Sequence, residues 1–224
     1  MTLLLPEGTT TRQALAAAFA DVLSYPDEPP PAAARRCAEL ARGRDAEAGR
    51  LLESFAALAE AEPLGALQEA YTRTFDLDTL SRSEPTCYPY VGHYLFDESH
   101  KRGAFIVELR KRFRAHGFED GSDLADHLVV LLRFLSVSAD DALADEIVDD
   151  AILPALARMR PLRSTAAGAP DLALRDAYLG VLTALELAFG AGREPAAASV
   201  EVELEREWAR DRDSLGIDRD WCRH

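Results

Sequence analysis

Leu124-Ala-Asp-His-Leu-Val-Val-Leu-Leu-Arg-Phe-Leu135 places leucine at 124, 128, 131, 132 and 135. That is the i, i+4, i+7, i+8, i+11 spacing that lays a wide apolar face along one side of a helix. Ser122, just upstream, is a residue type that caps such a helix. The same period recurs along nearly the whole chain, and no stretch sustains the alternation of a half-buried strand. The expected fold class is therefore all-α, a single-domain helical bundle over residues 1–224, with no internal repeat of fixed period.

Outward from that segment, local signals set the other helices. The capping-box pattern Thr10-Thr11-Arg12-Gln13 opens a helix through Leu15, Phe19, Val22 and Leu23, and Tyr25-Pro26 ends it because proline disfavours helical geometry in the residue before it. Pro29-Pro30-Pro31 reads as a connector. Helices follow over about 32–41 and 45–61, and another runs from near Pro63, a favoured first helical position, to about Phe75. Residues 76–88 lose the period amid Asp, Ser, Thr and Pro and read as a loop. A helix over about 99–116 stacks Phe105, Leu109 and Phe113, with Gly117 as a left-handed stop. Beyond the leucine-rich helix, one over about 140–159 is bent or broken at Pro154, and one over about 171–189 ends at Gly190. Gly168-Ala-Pro170 and the run from Gly190 to Pro195 read as linkers, and 195–224 as a loose tail in which Val202 to Trp208 fits a last amphipathic turn or two.

Composition removes several functions. Acidic residues outnumber basic ones 39 to 25, and a net charge of −14 repels nucleic acid while attracting cationic peptides. Cys37, Cys87 and Cys222 form no C-x-x-C, so neither a disulfide framework nor a zinc site is expected, and a reducing cytoplasm fits. Met1 to Glu7 lacks the basic and apolar regions of a secretory signal, and the apolar run Ala177 to Leu185 is far short of a membrane span. No direct membrane insertion is expected. A di-iron bundle needs paired Glu-x-x-His motifs where the chain has only Asp97-x-x-His100, and H-E-x-x-H, G-x-S-x-G and the P-loop pattern are all missing. Cys222 and His224 are two ligands on a chain end and make no site. No enzyme activity, metal or cofactor is expected.

Pro85 to Phe96 carries no charge in a chain that is 29% charged, and it holds three of the six tyrosines. Crowded tyrosines beside prolines and a glycine fit either a recognition surface or a buried aromatic core. On a helix, Tyr90 and Tyr94 are i, i+4 and share a face. Asp123 and His127 have the same spacing, so a carboxylate is expected to orient the imidazole, in a structural or a binding role. From Asp140 to Asp150 there are six acids and no basic residue. That stretch reads first as solvated surface. Because Asp141, Asp145 and Asp149 repeat at i+4, where like charges repel, it also reads as an acidic patch that steers a cationic partner.

Five pieces in order carry a resemblance: Leu23-Ser-Tyr-Pro-Asp27; Tyr71-Thr-Arg-Thr-Phe75-Asp76; the aromatic segment; Phe96-Asp-Glu-Ser-His-Lys-Arg102-Gly103; and Asp126-His127-Leu128 with Phe134-Leu135 beyond. Over about residues 15–160 the chain resembles the TorD/DmsD/NarJ group of molybdoenzyme-specific chaperones, nearest the nitrate-reductase assembly, delta-subunit-like branch. The resemblance implies an all-helical cytoplasmic chaperone, monomer or homodimer. It would bind the N-terminal segment or twin-arginine leader, and the unfinished body, of a molybdenum-containing oxidoreductase catalytic subunit until its cofactors are in place. The client surface implied is Tyr71, Phe75, Pro85, Tyr88, Tyr90, Tyr94, Asp123, Asp126 and His127. The segment before Tyr94 is richer in proline and tyrosine than that branch and closer to the TorD side, which leaves the client open within its class. Rival readings are a helical regulatory or scaffold module for a different partner and a protein that itself carries the molybdenum-cofactor nucleotide.

Overall fold

The computed structural model describes residues 8–75, 87–96, 100–121, 123–159 and 170–193. Expectations for Pro85, Ser122, the remainder of the 76–86 loop and residues 194–224, including the proposed tail, fall outside them. The described residues lie in one unit that extends to Arg193.

Helix α1 (Thr11–Leu23) begins where Thr10 accepts from the Gln13 N–H and the Gln13 side chain accepts from the Thr10 N–H, closing the capping box. It stops at Ser24, before Tyr25-Pro26. α2 (Pro31–Arg42) starts on the last proline of the connector, a position that needs no N–H donor. α3 (Ala46–Ala61) is capped by Asp45, whose carboxylate accepts from Ala48 N–H. α4 (Leu64–Phe75) starts one residue after Pro63, whose carbonyl accepts from Ala66 and Leu67. α5 (Val91–Phe96) is short, and α6 (His100–Ala115) ends at Gly117, which takes a φ of 68°. α7 spans Leu128–Val137, and α10 spans Pro170–Gly190, so Pro170 opens a helix instead of closing a linker.

The expected break at Pro154 is present in a specific form. α8 (Asp141–Glu146) runs into a π-helical turn (Ile147–Ile152), then α9 (Leu153–Arg158). Leu153 N–H reaches back five residues to the Val148 carbonyl. Pro154 has no N–H for the Asp150 carbonyl, so the regular ladder is already interrupted there, and the wider turn accommodates the gap.

α3 packs between α2 and α10, α1 packs on α2 and α7, and α4 packs on α10. Their shared interior holds Phe19, Phe55, Phe113, Phe134 and Tyr178, all essentially without solvent contact. α5 rests on α6, α9 and the π-turn. Among the described residues there is no strand, only one isolated antiparallel bridge between Tyr90 and His127. The all-α class holds.

Candidate functional site

That bridge builds the site. Val91 N–H donates to the Asp126 carbonyl at 2.8 Å, and Leu128 N–H donates to the Pro89 carbonyl at 2.8 Å. A helix start leaves its first amides without intrahelical partners. Here Pro89 serves Leu128, and the Nδ1 atom of His127 serves Val129 at 3.2 Å, so His127 is the N-cap of α7. The expected helix over Leu124–Leu135 is thus corrected at its start. Leu124 lies outside α7 and is 40% exposed, because the helix is capped only at His127, with Pro89 of a distant segment taking its first amide.

Asp126 is fully buried, and its Oδ2 accepts from Arg102 Nε at 2.8 Å. Its Oδ1 has no hydrogen-bond partner. The Arg102 guanidinium lies over the Tyr90 ring, 5.1 Å from its centroid, and the His127 imidazole meets the same ring edge-on at 5.3 Å. Gly92 makes room for the pair: a Cβ on it would stand 2.7 Å from Asp126 Oδ2. Burial pulls the His127 pKa below its usual value, against the smaller opposing effects of Asp123 and Asp126. The ring is fixed by the Val129 N–H and not, as the spacing suggested, by Asp123 on the same helix face, since Asp123 precedes the helix.

Tyr71 and Phe75 come from α4. The Tyr71 hydroxyl donates to the Leu23 carbonyl at 3.0 Å, and its ring packs on Tyr25, Phe75 and Tyr178. Burial, then the charges of Asp123 and Tyr90, push its pKa up to about 12. Through these contacts Tyr71 joins α4 to the end of α1 and to the core of α10.

Tyr94 stands apart from Tyr90. Tyr90 precedes α5, so the two do not share a helix face as expected. The Tyr94 hydroxyl accepts from Tyr88 N–H at 2.9 Å and approaches Cys87 Sγ at 3.9 Å, while Tyr88 sets its ring against His93. Burial raises the Tyr94 pKa and takes the Cys87 thiol to about 11. Tyr94 thus fastens the segment that carries Tyr88. Sequence reasoning gave no role to Arg102, Gly92 or Tyr25, the last 48% exposed at the rim of the aromatic group. Arg102 stood in a quoted motif without a chemical reading.

The acidic stretch is not free of basic neighbours once folded. Arg12 of α1 pairs with Asp141 at 2.7 Å, Arg112 of α6 pairs with Glu146, and Arg193 pairs with both Asp145 and Asp149. Asp140 caps α8 through Leu143 N–H. The carboxylates are partly exposed, but the local like-charge repulsion read from the sequence is relieved by these arginines.

Among the described residues no three metal-ligating side chains cluster, and no helix is long and apolar enough to cross a membrane. What the geometry presents is a surface of aromatic rings and a guanidinium with a buried carboxylate and a half-buried imidazole, on an all-helical frame. The chain belongs to the nitrate reductase delta subunit family, whose model matches residues 41–161, just over half of the chain and all of the span from Tyr71 to His127. It is a family of nitrate reductase assembly chaperones. The comparison with curated proteins returned no match.

Proposed function

We propose that the protein is a cytoplasmic assembly chaperone for the catalytic subunit of a molybdenum-containing oxidoreductase, nitrate reductase first among the clients. It binds the subunit's N-terminal segment and its apo form and releases them once the cofactors are in place. The observation that supports this reading is the meeting of Tyr90, Arg102 and His127, from separate parts of the family-matched span, at one partly exposed surface. Of the other residues expected at the client surface, Phe75 and Asp126 are buried and Tyr88 and Tyr94 are half-buried. Rigid amphipathic rings suit a peptide partner that leaves again, since they give contact area at little entropic cost. The work is binding and release, and the molybdenum cofactor belongs to the client.

Co-purification tests it. Tagged protein expressed in its own host retains the molybdoenzyme catalytic subunit in cofactor-deficient cells and loses it when the cofactor is supplied. Retention of no such subunit in either condition refutes the proposal.

A further inference from the structure

We infer that Arg102 is a client-contact residue that donates to an oxygen acceptor of the bound peptide, a carboxylate or a main-chain carbonyl. This rests on the proposed peptide-binding role of the Tyr90 surface. A guanidinium has five N–H donors in a fixed fork, and its usual pairing with a carboxylate is bidentate. The pair with Asp126 is single: Nε donates to Oδ2, and the buried Oδ1 is left without a partner. The Nη1 and Nη2 groups hydrogen-bond to no described residue, and the side chain is 20% exposed. A guanidinium meant only to neutralise a buried Asp126 would turn its fork to both oxygens. Instead Asp126 holds it by the stem side and Tyr90 supports its face at 5.1 Å, while Gly92 keeps the floor beneath the ion pair clear. Such a posture leaves the outer edge of the fork free to donate, beside a ring suited to packing on a peptide. In a chain of net charge −14, a cation held open on this surface selects an acceptor and not another cation.

The probe is a synthetic peptide copied from the N-terminus of the host's nitrate reductase catalytic subunit, titrated calorimetrically. Arg102→Lys keeps a positive charge for Asp126 and removes the fork. Affinity should fall at least about tenfold, the loss expected for one charge-assisted hydrogen bond. Unchanged affinity in a folded Arg102→Lys protein overturns the inference and leaves the chaperone reading standing. A wild-type protein that binds neither this peptide nor the catalytic subunit overturns both. Should the variant fail to fold, arginine-labelled wild-type protein decides the matter by NMR. Slowed exchange of the Arg102 Nη protons on peptide addition supports the contact, and unaltered exchange overturns it. Peptides with Glu and Asp replaced by Gln and Asn separate the two acceptors, since only a carboxylate acceptor makes the peptide change and Arg102→Lys non-additive.

Discussion

Gly92→Ala puts the geometry under the Asp126–Arg102 pair to a quantitative test. The added Cβ would lie 2.7 Å from Asp126 Oδ2, 3.1 Å from Arg102 Cγ and 3.2 Å from Phe105 Cδ1. Asp126 cannot back away as a unit: it is fully buried, its own carbonyl holds Val91, and the amide two residues on is held by Pro89. The carboxylate must turn, and the bond to Nε lengthens. Overpacking costs ~1–3 kcal/mol and outright loss of a buried pair ~3–5, so a strained but surviving pair falls near ~3 kcal/mol. Alanine returns ~1 kcal/mol over glycine within α5, leaving a net destabilisation of ~2 kcal/mol. For a chain of this size that lowers Tm by ~4–8 °C. Urea unfolding followed by far-ultraviolet circular dichroism measures it, with Gly103→Ala as control. Gly103 sits in α6 with nothing within 4 Å of the point where an added methyl would stand, and alanine there should be neutral or stabilising by up to ~1 kcal/mol. A Gly92→Ala protein as stable as the parent, beside a stabilised control, refutes the account of the ion pair's floor.

Four further outcomes follow from the same geometry. His127 resists protonation in the folded state more than in the unfolded chain, so its contribution is complete above the unfolded pKa of ~6.5 and is lost as pH falls through the lower folded value. His127→Asn keeps a capping group and should flatten that part of the urea-midpoint profile, which lies below about pH 6.5; an unaltered slope there excludes His127 as its source. Thr10→Ala opens the capping box of α1 and should cost ~1 kcal/mol in chemical unfolding, with no effect on peptide affinity. Tyr90→Ala should weaken peptide binding by ~2 kcal/mol or more in calorimetry, whereas Tyr94→Phe, which strips the acceptor from Tyr88 N–H, should appear in stability; the reverse pattern would exchange their roles. Replacing Asp141, Asp145 and Asp149 with Asn should slow stopped-flow association with a basic peptide at low salt and leave release unchanged, an effect that vanishes at high salt. An on-rate indifferent to all three makes the patch ordinary surface.

Helix boundaries were legible wherever the stop or start signal lies within a few residues of the helix. Thr10 and Gln13 close their box, Gly117 adopts the left-handed turn, and Tyr25-Pro26 ends α1, because each is a local backbone event. The start of α7 was not, since its first amide is served by Pro89, a residue remote in sequence. The same limit hid the site's central pair. Asp126 stood out beside His127, but nothing in residue type or spacing ties it to Arg102, and the need for glycine at 92 exists only once that pair is in place. Tyr90 and Tyr94 failed as a helical i, i+4 pair because the bridge to His127 holds Tyr90 out of the helix. The acidic run was read as unbalanced because its partners, Arg12, Arg112 and Arg193, are supplied by tertiary structure.

The π-turn at Ile147–Ile152 has a consequence for phase. From Leu143 and Ala144 through Ile147 and Val148, Ala151 and Ile152, to Ala155 and Leu156, the buried positions step by four residues. An α-helix turns once in 3.6 residues, so a four-residue step drifts by about 40° each time and would carry the last pair well round toward solvent. A π-turn, at about 4.4 residues per turn, drifts the other way and cancels the error midway. On the opposite side the same correction keeps Asp145 and Asp149 in one column, close enough for Arg193 to clasp both. Removing a single residue from this turn would close it to ordinary α-helix, and Ala155 and Leu156 beyond it would still face the core, now at 3.6-residue spacing. The extra residue acts as a vernier, keeping a four-residue rhythm in step with a core built for 3.6.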